Sequence, residues 1–159
     1  MAGAILADRV PGLEVSTRGT AVIEGLVMSW RTRAALEGLG LRADSHRSRQ
    51  LTSEDLADAD LVIAMAGEHV EYIRRVEPSA AARTGTLRRL ARDLPGASGE
   101  LRERVGGLRL QDVQLAPWED VEDPVSGDVE QFHRCVREID ALLAGLVPLL
   151  AVEATEARG

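Results

Sequence analysis

Along the last third of the chain, apolar residues recur at steps of four and three: Phe132, Val136, Ile139, Leu143, Leu146 and Leu150. This spacing puts one apolar stripe on one face of a long C-terminal helix, to be buried against a core. Asp128 and Glu130 stand in its first turn, where the positive end of the helix dipole favours acid. A different pattern governs Leu61-Val62-Ile63-Ala64-Met65, an unbroken apolar run between Asp60 and Gly67. It predicts a parallel strand covered on both faces. Leu13-Glu14-Val15-Ser16 alternates apolar and polar, predicting a short strand. Helices are predicted over Ala2–Val10, stopped by Pro11-Gly12, and over Trp30–Leu39, with Ala34, Ala35, Leu36 and Leu39 inward and Gly40 as its stop. Thr52 has the character of an N-cap, with Asp55 three residues on and Leu56 facing inward. A further helix is predicted over Glu68–Val76, ended by Pro78, then a short strand at Thr84–Leu87 and a helix through Leu94. The stretch from Pro95 to Glu122 reads as loop with one short helix near Leu101–Val105.

Alternating strands and helices predict an α/β sandwich around a parallel sheet. In such sheets the active crevice lies beyond the carboxyl ends of the strands. With 159 residues, 45% of them hydrophobic, the chain is expected to form one domain over residues 1–152 with a real core. Aromatic residues are only 3% of the chain, so Leu, Val, Ile and Ala must fill that core. Residues 153–159 are small or polar and are expected to fray.

Charge narrows the function classes. A formal net charge of −7 gives no bias toward nucleic acid. Every basic residue is Arg, and neither Lys nor Asn occurs, which reflects a GC-rich coding sequence more than a physical need. Arg47, Arg49, Arg83, Arg88, Arg89 and Arg92 are interleaved with acids and lack neighbouring aromatics, so they read as a solvated face. No apolar run approaches the ~20 residues that span a bilayer, and no signal-type segment opens the chain, so a cytoplasmic protein with no membrane partner is expected. A monomer or weak dimer is expected. One cysteine, Cys135, rules out an internal disulfide, and His46, His69 and His133 show no metal-ligand spacing. Neither a metal nor a cofactor is expected.

Four residues carry candidate chemistry. Pro124 fixes its own φ and pushes Asp123 toward extended geometry, which can hold the Asp123 carboxylate on a rigid loop. Such a carboxyl can deliver a proton to a leaving oxygen, although Asp-Pro by itself commonly marks a turn. His46, read alone, is a satisfied and partly buried histidine. Cys135 sits beside the Phe132 and Val136 stripe inside a helix, where no free N–H groups can lower its pKa, so it reads as structural. Trp30, early in a helix, reads as a rim or core residue, with a substrate-wall role open to it.

Taken together, Val15-Ser16-Thr17-Arg18-Gly19-Thr20, Ser45-His46-Arg47-Ser48-Arg49-Gln50-Leu51-Thr52 and Asp123-Pro124-Val125-Ser126-Gly127 before a long helix resemble the low-molecular-weight protein tyrosine phosphatases. The resemblance implies a four-stranded parallel sheet and hydrolysis of phosphotyrosine proteins or small phosphomonoesters through a cysteinyl-phosphate, with no metal. It makes Asp123 the general acid. It makes His46 and Thr17 the groups that support the phosphate-binding loop from behind. Val125 and Ser126 depart from the aromatic residues that often follow the Pro in this family.

The family opens with an apolar strand and a loop reading Cys, five residues, Arg, then Ser-Pro, and no such pair occurs here: position 141, six beyond Cys135, is Ala. Met1–Leu6 resembles the helix after that loop. The first, central strand is therefore expected to be missing from this chain, and the chain as written is expected to be inactive. A central strand of about five apolar residues, at roughly 1.5–3 kcal/mol each, represents about 8–15 kcal/mol of burial, comparable to the net stability of a domain. Either the protein begins upstream of Met1, the favoured reading, or the chain is a fragment that needs a partner strand. A non-catalytic binding or regulatory protein on the same fold is the alternative function. An arsenate reductase is disfavoured, because that chemistry shuttles disulfides through several cysteines.

Overall fold

A computed structural model describes Met1 to Glu156, with side chains through Ala151. The elements run α1 (Ala2–Arg9), α2 (Trp30–Glu37), α3 (Ser53–Ala57), β1 (Val62–Ala64), α4 (Gly67–Val76), β2 (Thr84–Thr86), α5 (Leu87–Asp93), α6 (Leu101–Gly107), α7 (Val129–Ala144) and α8 (Val147–Glu156). A two-turn 3-10 helix covers Pro78–Arg83, and single 3-10 turns occur at Leu110–Asp112 and Pro117–Glu119. The chain forms two compact units, one from residues 1–50 with 122–159 and one from 51–121.

The first unit is helical and is organised by α7. Phe132, Cys135, Val136, Ile139 and Leu143 of α7 are buried, as are Leu146 and Leu150 beyond it. The predicted stripe is therefore the core of this unit. Both α1, through Ile5 and Leu6, and α2, through Ala35 and Leu36, pack on α7. The start of α7 is fixed by a reciprocal cap: Gln131 N donates to Asp128 Oδ1 at 2.9 Å and Asp128 N to Gln131 Oε1 at 2.6 Å. The helix is not continuous to Leu150 as the stripe predicts. It ends at Gly145, and α8 resumes at Val147 with Pro148 in its first turn. An unbroken helix would drive the Pro148 ring into the Ala144 carbonyl and leave that carbonyl without its donor, whereas a first turn accepts Pro freely. At the end of α2, Gly40 takes φ +77° and the Leu41 N–H returns to the Leu36 carbonyl at 3.0 Å. Gly40 is the expected stop.

The predicted strand at Leu13–Ser16 is not one: residues 13–18 carry no regular structure. Alternation makes a strand only where a neighbour supplies the ladder. Among the described residues, this unit offers only two isolated bridges, Gly19 to Gln50 in parallel and Val27 to Arg47 in antiparallel sense.

The second unit holds the sheet. Strands β1 and β2 pair in parallel, with Val62 against Thr84, Ile63 against Gly85 and Ala64 against Thr86. The class is α/β with a small parallel sheet, as alternation of elements implies. Strand β2 is buried throughout, whereas Val62 and Ile63 of β1 are half-buried, less covered than the apolar run predicts. Leu56, Ile73 and Ala80 form a core cluster with Leu51, Val62 and Tyr72 against it. The Thr52–Asp55 cap is present in both directions, with Thr52 N donating to Asp55 Oδ2 at 3.1 Å and Asp55 N to Thr52 Oγ1 at 3.3 Å. Ala66 offers α4 no capping side chain, and Asp120 supplies one from outside: Gly67 N donates to Asp120 Oδ1 at 2.7 Å. The 95–122 stretch contains α6 where a helix is expected, together with the turns at Leu110–Asp112 and Pro117–Glu119.

Candidate active site

Asp123, His46 and Thr17 all belong to the first unit, and Thr17 and His46 lie near the start of α1. Thr17 does so by packing. A Cβ placed on Gly3 would overlap the Thr17 Cγ2 methyl, so the close approach of the 13–18 segment to α1 depends on glycine at position 3. His46 is half-buried on a turn where its own N–H donates to the Ala43 carbonyl at 3.2 Å. Burial first, then the Met1 amino group, then Arg47 lower the imidazole's proton affinity. The shift favours the neutral ring, with one donor and one acceptor nitrogen, near neutral pH. The Met1 amino group is itself shifted down, chiefly by burial.

Asp123 stands exposed on the loop that leads into α7. Its Oδ1 accepts from the Val125 N–H at 3.0 Å, and the Gly127 N–H donates to the Pro124 carbonyl at 2.7 Å. A third tie comes from α2: Arg31 Nη1 donates to the Gly127 carbonyl at 2.6 Å. The loop is therefore held by its own turn and by a neighbouring helix. Val125 is 67% exposed and Trp30 60%, an apolar rim on these two elements. Trp30 is thus a surface residue.

Cys135 is the one cysteine and is free and buried. Burial pushes its thiol up, and Glu138 adds to this; the Met1 amino group opposes, and Asp123 and Glu122 raise it further. The thiol therefore stays protonated near neutral pH, in the middle of α7, with no helix N-terminus to stabilise a thiolate. Its structural reading stands. Among the described residues, no group of three or more His, Cys, Asp and Glu could hold a metal ion. Nor is any helix among them long and apolar enough to cross a membrane.

Two residues carry weight that sequence reasoning did not assign. Arg31 is one, and its partner lies 96 positions away. Glu119 is the other, fully buried in the second unit. It accepts from Thr86 Oγ1 at 2.9 Å, from Arg89 Nε at 2.7 Å and from Ala116 N at 2.9 Å, and its Oε1 also pairs with Arg89 Nη2. Arg89 and Arg92 both lie over the Trp118 ring, at 5.4 and 4.3 Å from its centroid. Burial pushes the Glu119 carboxyl up, but the Arg89 pair, then Thr86 and Ala116, hold it below its ordinary range. A carboxylate saturated in this way has no lone pair left for a substrate. Its role is to join β2, α5 and the Pro117–Glu119 turn.

The first unit thus offers an exposed carboxyl on a pinned loop, an imidazole of lowered proton affinity and a hydroxyl, but no activated nucleophile among the described residues. Known proteins carry the same scaffold. A profile of the low molecular weight phosphotyrosine protein phosphatases matches residues 1–156. A protein-arginine-phosphatase of Geobacillus stearothermophilus is 29% identical over 154 residues, covering 96% of this chain and 88% of its own length. A probable low molecular weight protein-tyrosine-phosphatase of Ralstonia nicotianae is 30% identical over 90 residues, covering 57% of this chain and 60% of its own length. Among solved structures, the YwlE arginine phosphatase from Geobacillus stearothermophilus superposes with a TM-score of 0.75 at 28% identity, covering 98% of this chain and 86% of that one. A low molecular weight protein tyrosine phosphatase from T. tengcongensis gives 0.72 at 25% identity, covering 92% and 87%. The chain belongs to the low molecular weight phosphotyrosine protein phosphatase family.

Proposed function

We propose that this chain is the scaffold and proton-donor half of a protein phosphatase, which acts once a Cys-x5-Arg loop stands ahead of α1. The carrying observation is Asp123: an exposed carboxyl, pinned through Oδ1 to the Val125 amide, on the loop entering α7. In this reading, the thiolate of the added loop attacks phosphorus and the bond to the leaving group breaks. The free Asp123 oxygen passes its proton to that leaving group. Water then displaces the cysteine from the cysteinyl-phosphate, with the Asp123 carboxylate taking the proton back. Neutral His46 and Thr17 hydrogen-bond the loop from the α1 side. No metal is needed, because the loop's N–H groups and Arg supply the charge stabilisation. Without the loop the chain is inactive by this route: Cys135 is buried with a raised pKa and has Ala141 where the clamp arginine belongs.

The substrate is a phosphorylated protein side chain. Val125 and Ser126 follow Pro124, so no aromatic side chain stands there to flank a phosphotyrosine ring. That feature, with an arginine phosphatase related over nearly the whole chain, favours phosphoarginine over phosphotyrosine. Phosphopeptides of both kinds, offered to a form carrying the Cys-x5-Arg loop, test the proposal. Phosphoarginine turnover that falls by about 10²–10⁴ in Asp123→Asn supports it; turnover indifferent to that change removes Asp123 from the mechanism. The rival reading is a non-catalytic binding module on the same fold. Stoichiometric phosphopeptide binding without turnover, in the loop-bearing form, selects it.

A further inference from the structure

We propose that Arg31 is a positioning residue for Asp123, an inference that rests on the reading of Asp123 as proton donor. The Asp123–Gly127 turn closes on itself through two bonds, Val125 N to Asp123 Oδ1 and Gly127 N to the Pro124 carbonyl. Such a turn can keep its shape and still swing as one piece about its junction with α7. The Arg31 bond to the Gly127 carbonyl prevents this, because it runs from α2, a different element of the same unit. The guanidinium is itself held in place. Its carbon lies 5.4 Å from the centre of the Phe132 ring, in the buried face of α7, and 5.9 Å from that of Trp30. Helix α2 in turn is anchored on α7 through Ala35 and Leu36 and capped by Ser29, whose Oγ accepts from Thr32 N at 3.1 Å. Arg31 thus transmits the rigidity of the α2–α7 pair to the loop bearing the carboxyl. Arginine is well suited to this position, because its charge is permanent and its flat fork can donate while stacking on a ring. Placement of a proton donor is worth this much structure, since about 1 Å of misplacement can cost 10²-fold in rate.

The test uses the full chain, labelled with nitrogen-15, and needs no catalysis. Arg31→Met keeps an unbranched apolar stem against Phe132 and removes the donor; Arg31→Lys restores one donor. Backbone order parameters at Val125 and Gly127 are expected near ~0.85 in the unaltered chain, below ~0.6 in Arg31→Met, and largely recovered in Arg31→Lys. Those at Val136 and Ile139, inside α7, are expected to be equal in all three. Loop order unchanged in Arg31→Met, no recovery with Lys, or an equal loss within α7 would each overturn the proposal. Failure here leaves the hydrolysis assay with Asp123→Asn unaffected, so the two readings fall separately.

Discussion

Glu119 and Asp123 are four residues apart and ionise alike in water, yet the fold treats them oppositely. Glu119 is fully buried, and donors from β2, α5 and the chain just before it occupy both of its oxygens. Asp123 is exposed, with one oxygen taken by its own turn and the loop beneath it held from α2. The first arrangement consumes the hydrogen-bonding capacity of the carboxylate, and the second reserves part of it. A carboxylate with perturbed ionisation and a charged partner is often taken as a functional signal. Glu119 is such a group, yet its bonds make it structural. What marks Asp123 is a rigid mount with an open acceptor.

The largest effect expected from breaking this contrast is on stability. Glu119→Ala leaves Arg89 and Thr86 facing an unfilled buried site, and should cost about 3–5 kcal/mol. Asp123→Ala should stay within ~0.5 kcal/mol, as for an exposed group. Urea denaturation of the two variants measures the difference directly, and equal losses would dissolve the distinction. Acid sharpens it. Because Glu119 is held below its ordinary range in the folded chain, its folded pKa lies under its unfolded value of about 4.3. Its contribution is therefore complete above the unfolded value and lost as pH falls through the folded one. The unaltered chain should lose urea resistance steeply below about pH 4.3, and Glu119→Gln should show a shallower acid limb from a lower starting stability. Identical acid limbs would contradict the assignment. A smaller change is expected on the Asp123 side of the molecule. Gly3→Ala pushes a methyl into Thr17 Cγ2 and should cost about 1–3 kcal/mol unless the 13–18 segment yields. Loss of order at Thr17 without loss at Glu119, followed by NMR, would locate the damage in the first unit.

The parts of this molecule legible in the sequence are those fixed by neighbours in the chain. The Thr52–Asp55 cap, the stripe from Phe132 to Leu150, the stop at Gly40 and the helices that end before Pro78 and Pro95 all depend on residues within a few positions. Asp123 and His46 are singled out for another reason: their surrounding motifs resemble a known family. Bonds that cross long stretches of sequence leave no such trace. Arg31 reads as one of many arginines at the start of a helix, and its target at Gly127 is a bare carbonyl. Glu119 sits in a segment that reads as loop, and only Thr86 and Arg89, some thirty residues earlier, explain its burial. Leu13–Ser16 shows the converse. Its alternation is real, but pairing is a property of two segments, and among the described residues this unit supplies no ladder for it. Gly145 and Pro148 could have been read as a helix break, had the apolar stripe not run straight through them.

The proposal turns on one claim, that this chain supplies the scaffold and a proton donor but not the nucleophile. Hydrolysis of p-nitrophenyl phosphate by purified chain 1–159, beside Asp123→Asn and Cys135→Ser, tests it most directly. All three should match the uncatalysed rate. Turnover by the unaltered chain that disappears in Cys135→Ser would show that the buried thiol attacks phosphorus after all.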